Sequence, residues 1–152
     1  MRGFSLGAIL SIALGASAHA DWQYTKWGMT PAEVAAASGG AVKVVRPSAE
    51  SVADKTSRTL TECSGDYIVG KFHFYVVFSF DRQKHQLEEV TLLLPDHGYT
   101  DELRRALEEK YGAWREGMAW IDRNDGYSVE LISADVSMIH YRPLHDAEKN
   151  GL

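Results

Sequence analysis

Phe72, Phe74, Val76, Phe78 and Phe80 are separated one by one by His73, Tyr75, Val77 and Ser79. Strict alternation of this kind fits a β-strand, whose successive side chains point to opposite faces, and no helical spacing reproduces it. Burying a phenylalanine side chain is worth roughly 1.5–3 kcal/mol. A strand carrying four of them on one face therefore belongs near the middle of a sheet, with that face covered.

The neighbouring segments extend the pattern. A polar turn over residues 81–86 leads into residues 87–94, where Val90, Leu92 and Leu94 share a face. Pro95-Asp96-His97-Gly98 breaks the strand, and a helix is expected from Thr100, with Asp101 and Glu102 at its positive end and Lys110 in its last turn. Leu103, Ala106, Leu107 and Tyr111 form its apolar stripe, and Gly112 stops it. Residues 118–122 and 127–133 flank Asn124-Asp125-Gly126, a hairpin signal, and residues 136–142 follow as a further strand. Upstream, residues 60–65 read as a weaker strand and residues 41–45 as a short one, while residues 47–56 are a segment where disorder is expected.

The first helix begins in Trp27-Gly28-Met29-Thr30-Pro31-Ala32-Glu33-Val34. Thr30 is suited to the N-cap, Pro31 to the first helical position and Glu33 to the return bond of a capping box. Met29 and Val34 stand at the staple positions, and Gly39-Gly40 ends the helix. Residues 28–94 and 100–142 thus share one order, a helix followed by three strands. The expected fold is α+β: two helix-plus-three-strand units forming an antiparallel sheet with both helices packed on one face, in a single domain spanning residues 21–145.

The Gly-Met-Thr-x-x-x-Val start within residues 27–34 resembles that of small periplasmic domains of the outer-membrane-assembly lipoprotein type. The helix-then-strands order, used twice, is similar to the secreted β-lactamase-inhibitor fold. The resemblance implies an exported α+β binding module. The chain departs from the first group in lacking a lipid-modified cysteine and from the second in lacking disulfides, and no functional residue carries over.

Residues 1–20 have the anatomy of a secretory signal peptide: Arg2, an apolar run over residues 4–16, and Ala18-His19-Ala20 before a cut at Asp21. The expected location is the periplasm, with extracellular release as the alternative. The apolar run is shorter than the roughly 20 residues needed to span a bilayer, so membrane insertion is not expected. Without residues 1–20 the chain holds 15 Lys and Arg against 21 Asp and Glu, a net −6. Scattered basic residues in an acidic chain offer nothing to nucleic acid. Cys63 is the only cysteine, so it is expected to be a small buried hydrophobe with no partner for an internal disulfide. Residues 146–152 are read as a flexible tail.

No motif for nucleophilic, phosphate or metal chemistry is present. The histidines lack ligand spacing, and Asp122-Arg123-Asn124-Asp125-Gly126 has its glycine one position too early for an EF-hand loop. No cofactor and no metal are assigned. The face opposite the helices is expected to present His73, Tyr75 and Val77, then Glu89, Thr91 and Leu93, then Ser128, Glu130 and Ile132. Ile139 and Tyr141 are added although the pattern leaves the parity of residues 136–142 undecided. The candidate partner-binding residues are His73, Tyr75, Thr91, Leu93, Glu130 and Tyr141. The functional expectation is a non-enzymatic module acting sterically on a protein or peptide in the cell envelope, as an inhibitor or assembly factor. One alternative is a small envelope hydrolase using His73 or His140 with Glu89 or Glu130. The other is a structural homodimer.

Overall fold

The computed structural model describes residues 22–115, 117, 119–145 and 148. The first element is α1, Pro31–Ala37, whose Thr30 side chain accepts from Glu33 N while the Glu33 carboxylate accepts from Thr30 N at 2.8 Å. After it come β1 (Val42–Val44), α2 (Ala49–Ala53), β2 (Thr59–Val69), β3 (Phe72–Asp81) and β4 (Leu87–Leu94). The second half holds α3 (Thr100–Tyr111), β5 (Trp120–Asp122), β6 (Tyr127–Ser133) and β7 (Ser137–Pro143). Gly112, at φ 96°, closes α3 in a backbone region open to glycine.

The seven strands among the described residues join one antiparallel sheet in the order β1-β2-β3-β4-β7-β6-β5. Read inward from either edge, the strands come in chain order and meet at the β4–β7 pair. The phenylalanine strand β3 is internal, and Phe74, Val76, Phe78 and Phe80 are all essentially buried. Beside it, β2 and β4 each carry one extra residue. Leu60 and Cys63 oppose Phe80 and Phe78, and Leu87 and Glu89 oppose Phe80 and Ser79. These bulges reset the alternation, so Leu87 and Val90 share the phenylalanine face although they are three residues apart.

That face is packed. The Cys63 thiol is fully buried and donates to the carbonyl oxygen of Pro31, 3.3 Å away in α1. Leu103 and Leu107 of α3 line a cavity of about 30 Å³ with Trp22, Phe72, Phe74, Leu92 and Ile139, room for about one water. Trp22 lies in edge-on contact with Tyr24, Tyr67 and Phe78.

The first half is richer than helix plus three strands, because β1 and α2 precede β2. Within residues 47–56, α2 buries none of its own side chains. Ser48 caps it, and Arg82 supplies the tertiary hold: its guanidinium donates to the carbonyl oxygens of Ser51, Val52, Asp54 and Ser57 at 2.6–3.2 Å. The expected leader and the tail apart from Glu148 lie outside the described residues. No helix among the described residues is long and apolar enough to cross a membrane.

Candidate functional site

Cross-strand register builds the second face of the sheet row by row, since directly opposed residues project to the same side. The central row runs Lys43, Ser64, Val77, Thr91, His140, Glu130. The row on one side of it runs Asp66, Tyr75, Leu93, Met138, Ile132, with Ile68 and His73 beyond. On the other side stand Thr61, Ser79 and Glu89, with Arg142 paired to Ser128 and Ser128 to Ile121.

His73, Tyr75, Thr91, Leu93 and Glu130 therefore lie on this face, Thr91 only 5% exposed between its neighbours. Tyr141 does not. It opposes Val90 and Val129 on the phenylalanine side, is only 7% exposed, and lies 6.1 Å from the Tyr127 ring. Burial pushes its hydroxyl pKa upward, and the neighbouring Tyr127 adds to the rise. Ile139 is buried beside it, and the expectation that put both on the open face is corrected. Ser133 pairs with Ser137 across a turn of three intervening residues, and that register sets the parity of β7. Met138, His140 and Arg142 take the open-face positions instead.

The face divides into two zones. One is apolar: Tyr75, 45% exposed, with partly exposed Leu93, Met138 and Ile132 in line and Ile68 66% exposed nearby. The other is a charged knot on Glu89. Arg142 Nε donates to Glu89 Oε2 at 2.5 Å, Thr91 Oγ1 donates to Oε1 at 3.1 Å, and His140 Nδ1 stands 3.4 Å from Oε1. Thr91 Oγ1 also meets His140 Nδ1 at 3.1 Å, and Arg142 Nη1 reaches Glu130 Oε2 at 3.6 Å. Burial alone pushes the Glu89 carboxyl pKa up, but the bonds from His140 and Arg142 outweigh it and hold the group at about 2.

Remote from the knot, His73 Nε2 faces Asp66 Oδ1 at 3.4 Å near the β2–β3 turn. Sequence reasoning missed Arg142 and Met138, and the signal that finds them is the register of the β6–β7 hairpin. The Cys63 thiol is pushed up to about 11 by burial and by the Glu62 charge. The Asp122 carboxylate accepts from Asn124 N and Asp125 N within its own turn. Comparison with protein-family models, with curated proteins and with solved structures found no match.

Proposed function

We propose that the chain is an exported, non-enzymatic binding module whose open sheet face docks a protein or peptide of the cell envelope. The observation that carries this reading is the apolar line Tyr75–Leu93–Met138–Ile132, which lies partly exposed on the face turned away from the phenylalanine core. Contiguous apolar surface of this kind, rimmed by polar groups, is characteristic of partner sites. We read α1 and α3 as lying together on the phenylalanine side, supported by the Cys63–Pro31 bond and by the cavity shared by α3 and β3. That arrangement leaves the opposite face for a partner. The two edge strands favour the face over the edges, because β1 and β5 are only three residues long and short edges resist strand addition.

Two features weigh against the hydrolase. General acid–base catalysis works best with a pKa near the operating pH, whereas the Glu89 carboxyl sits at about 2 in a closed set of bonds. The hydroxyl beside His140 belongs to Thr91, 5% exposed and out of reach of a substrate. Export rests on the anatomy of residues 1–20, and the resemblance of residues 27–34 to periplasmic domains points the same way.

The test is retention of envelope proteins by the immobilised chain and by a Tyr75→Asp, Leu93→Asp variant whose circular dichroism matches the wild type. A protein held by the wild type and lost by the variant is the expected outcome. Equal retention by both overturns the assignment to this face. Retention of further copies of the chain alone replaces the reading with the homodimer.

A further inference from the structure

We infer that the partner segment is apolar in its middle and basic at both ends. This inference rests on the open-face reading above and specifies what that face selects. The apolar line is bracketed by carboxylates. Asp66 opposes Tyr75 at its β2 end, and Glu130 stands two residues before Ile132 on β6 at the other.

Each bracket carries negative charge that its neighbours on the face offset only in part. Asp66 is exposed, and its near neighbour on the face is His73, a partner only when protonated. At the far end Glu89 and Glu130 share the guanidinium of Arg142, and His140, 3.4 Å from Glu89, adds a positive charge only when protonated. Arg142 gives Glu89 its short bond and reaches Glu130 at 3.6 Å, so Glu130 is the carboxylate with attraction to spare. Lys43, the other cation of the face, stands at the β1 edge, opposite Ser64 and off the apolar line. The net charge of −5 for the whole chain acts in the same direction, drawing basic partners by long-range attraction.

The spacing sets the length of the segment. From β2 to β6 the sheet order makes four inter-strand steps, roughly 19 Å at about 4.8 Å each. An extended chain rising about 3.3 Å per residue covers that distance in about six residues. Basic side chains at the first and seventh positions of an extended segment then reach Asp66 and Glu130, with apolar residues between them over Tyr75, Leu93, Met138 and Ile132. A segment with acidic ends meets repulsion at both sites, which makes the brackets selective as well as attractive.

The probe is a fluorescently labelled heptapeptide, lysine at both ends around Ala-Leu-Ala-Leu-Ala so that both leucines share the side of the lysines, beside a counterpart with glutamate at both ends. Fluorescence anisotropy with the full chain is expected to give the lysine peptide at least tenfold tighter binding, weakening as salt is raised. Asp66→Lys and Glu130→Lys are each expected to cost about three- to tenfold, the scale of reversing one exposed charge contact. Asp66 is exposed, so its variant tests the inference even if the Glu130 variant misfolds. Equal binding of the two peptides, or affinity untouched by Asp66→Lys, overturns the charge brackets. If neither peptide binds while an envelope protein is still retained through Tyr75 and Leu93, this inference fails and the proposed function stands. If that retention is also absent, both fail.

Discussion

Glu89 is mostly buried, and burial alone would raise its carboxyl pKa. His140 and Arg142 reverse that, and the group sits at about 2 against 4.5 when unfolded. A carboxyl with a depressed folded pKa adds stability above its unfolded value and loses it as pH falls through the folded one. The Glu89 contribution is therefore complete above about pH 4.5 and drains away between there and about pH 2. At about 1.36 kcal/mol per pKa unit the ceiling is near 3 kcal/mol, and allowing for solvent screening of a partly open group brings it to about 2 kcal/mol. Glu89→Gln is expected to lower urea stability at pH 7 by about 1–2 kcal/mol, less than the full contribution because Arg142 is left free to pair with Glu130. Wild type and variant should converge as the pH is brought toward 2. A constant gap between their midpoints from pH 7 to pH 2.5 would show that the carboxylate's charge is not what ties β4 to β7.

Among the elements, β1 depends on one missing side chain. A Cβ at Gly65 would run into the carbonyl oxygen of Ala41, immediately before β1. The strand is held by the register of Val42, Lys43 and Val44 against Gly65, Ser64 and Cys63, and by Val45 N donating to Glu62 O at 2.8 Å. Gly65→Ala is expected to push β1 outward and cost about 1–3 kcal/mol, with faster amide exchange in residues 42–45 and little change in β6 and β7. Unaltered exchange in β1 would overturn the steric account. The same region shows what the sequence concealed. A period of two carried the facial assignment of His73, Tyr75, Thr91, Leu93 and Glu130, because those residues sit in uninterrupted alternation with buried neighbours. Leu60 and Cys63, like Leu87 and Val90, break parity, and only pairing with β3 reveals the bulges that restore it. In β7, apolar residues occupy both parities, so the alternation alone does not place Tyr141, and only the hairpin register puts it on the phenylalanine side. The helix α2 was invisible because its tertiary hold is Arg82, about thirty residues away in sequence.

For the molecule as a whole, the seam between the two halves decides whether it unfolds as one body. The first half brings α1, α2 and β1 to β4, the second α3 and β5 to β7, and the β4–β7 ladder is the strand pairing that joins them. Five residue pairs cross that ladder, from Val90–Tyr141 to Leu94–Ser137, and the Glu89 knot continues the seam beyond it. On the phenylalanine side, Phe72, Phe74 and Trp22 from the first half share a cavity wall with Leu103, Leu107 and Ile139 from the second. Neither half can leave without exposing the apolar surface of the other, and that coupling is the physical basis of a single cooperative transition. The tryptophans make the claim measurable, because Trp22 and Trp27 lie in the first half and Trp114 and Trp120 in the second. A Trp114→Phe, Trp120→Phe variant fluoresces only from the first half, while its far-ultraviolet circular dichroism reads the whole sheet. The two signals are expected to follow one urea curve with one midpoint, unchanged by reductant because Cys63 has no second cysteine within the chain to pair with. If fluorescence and dichroism part, the halves unfold separately. The open face, which takes Tyr75 and Leu93 from one half and Met138 and Ile132 from the other, would then be assembled only while the seam is closed.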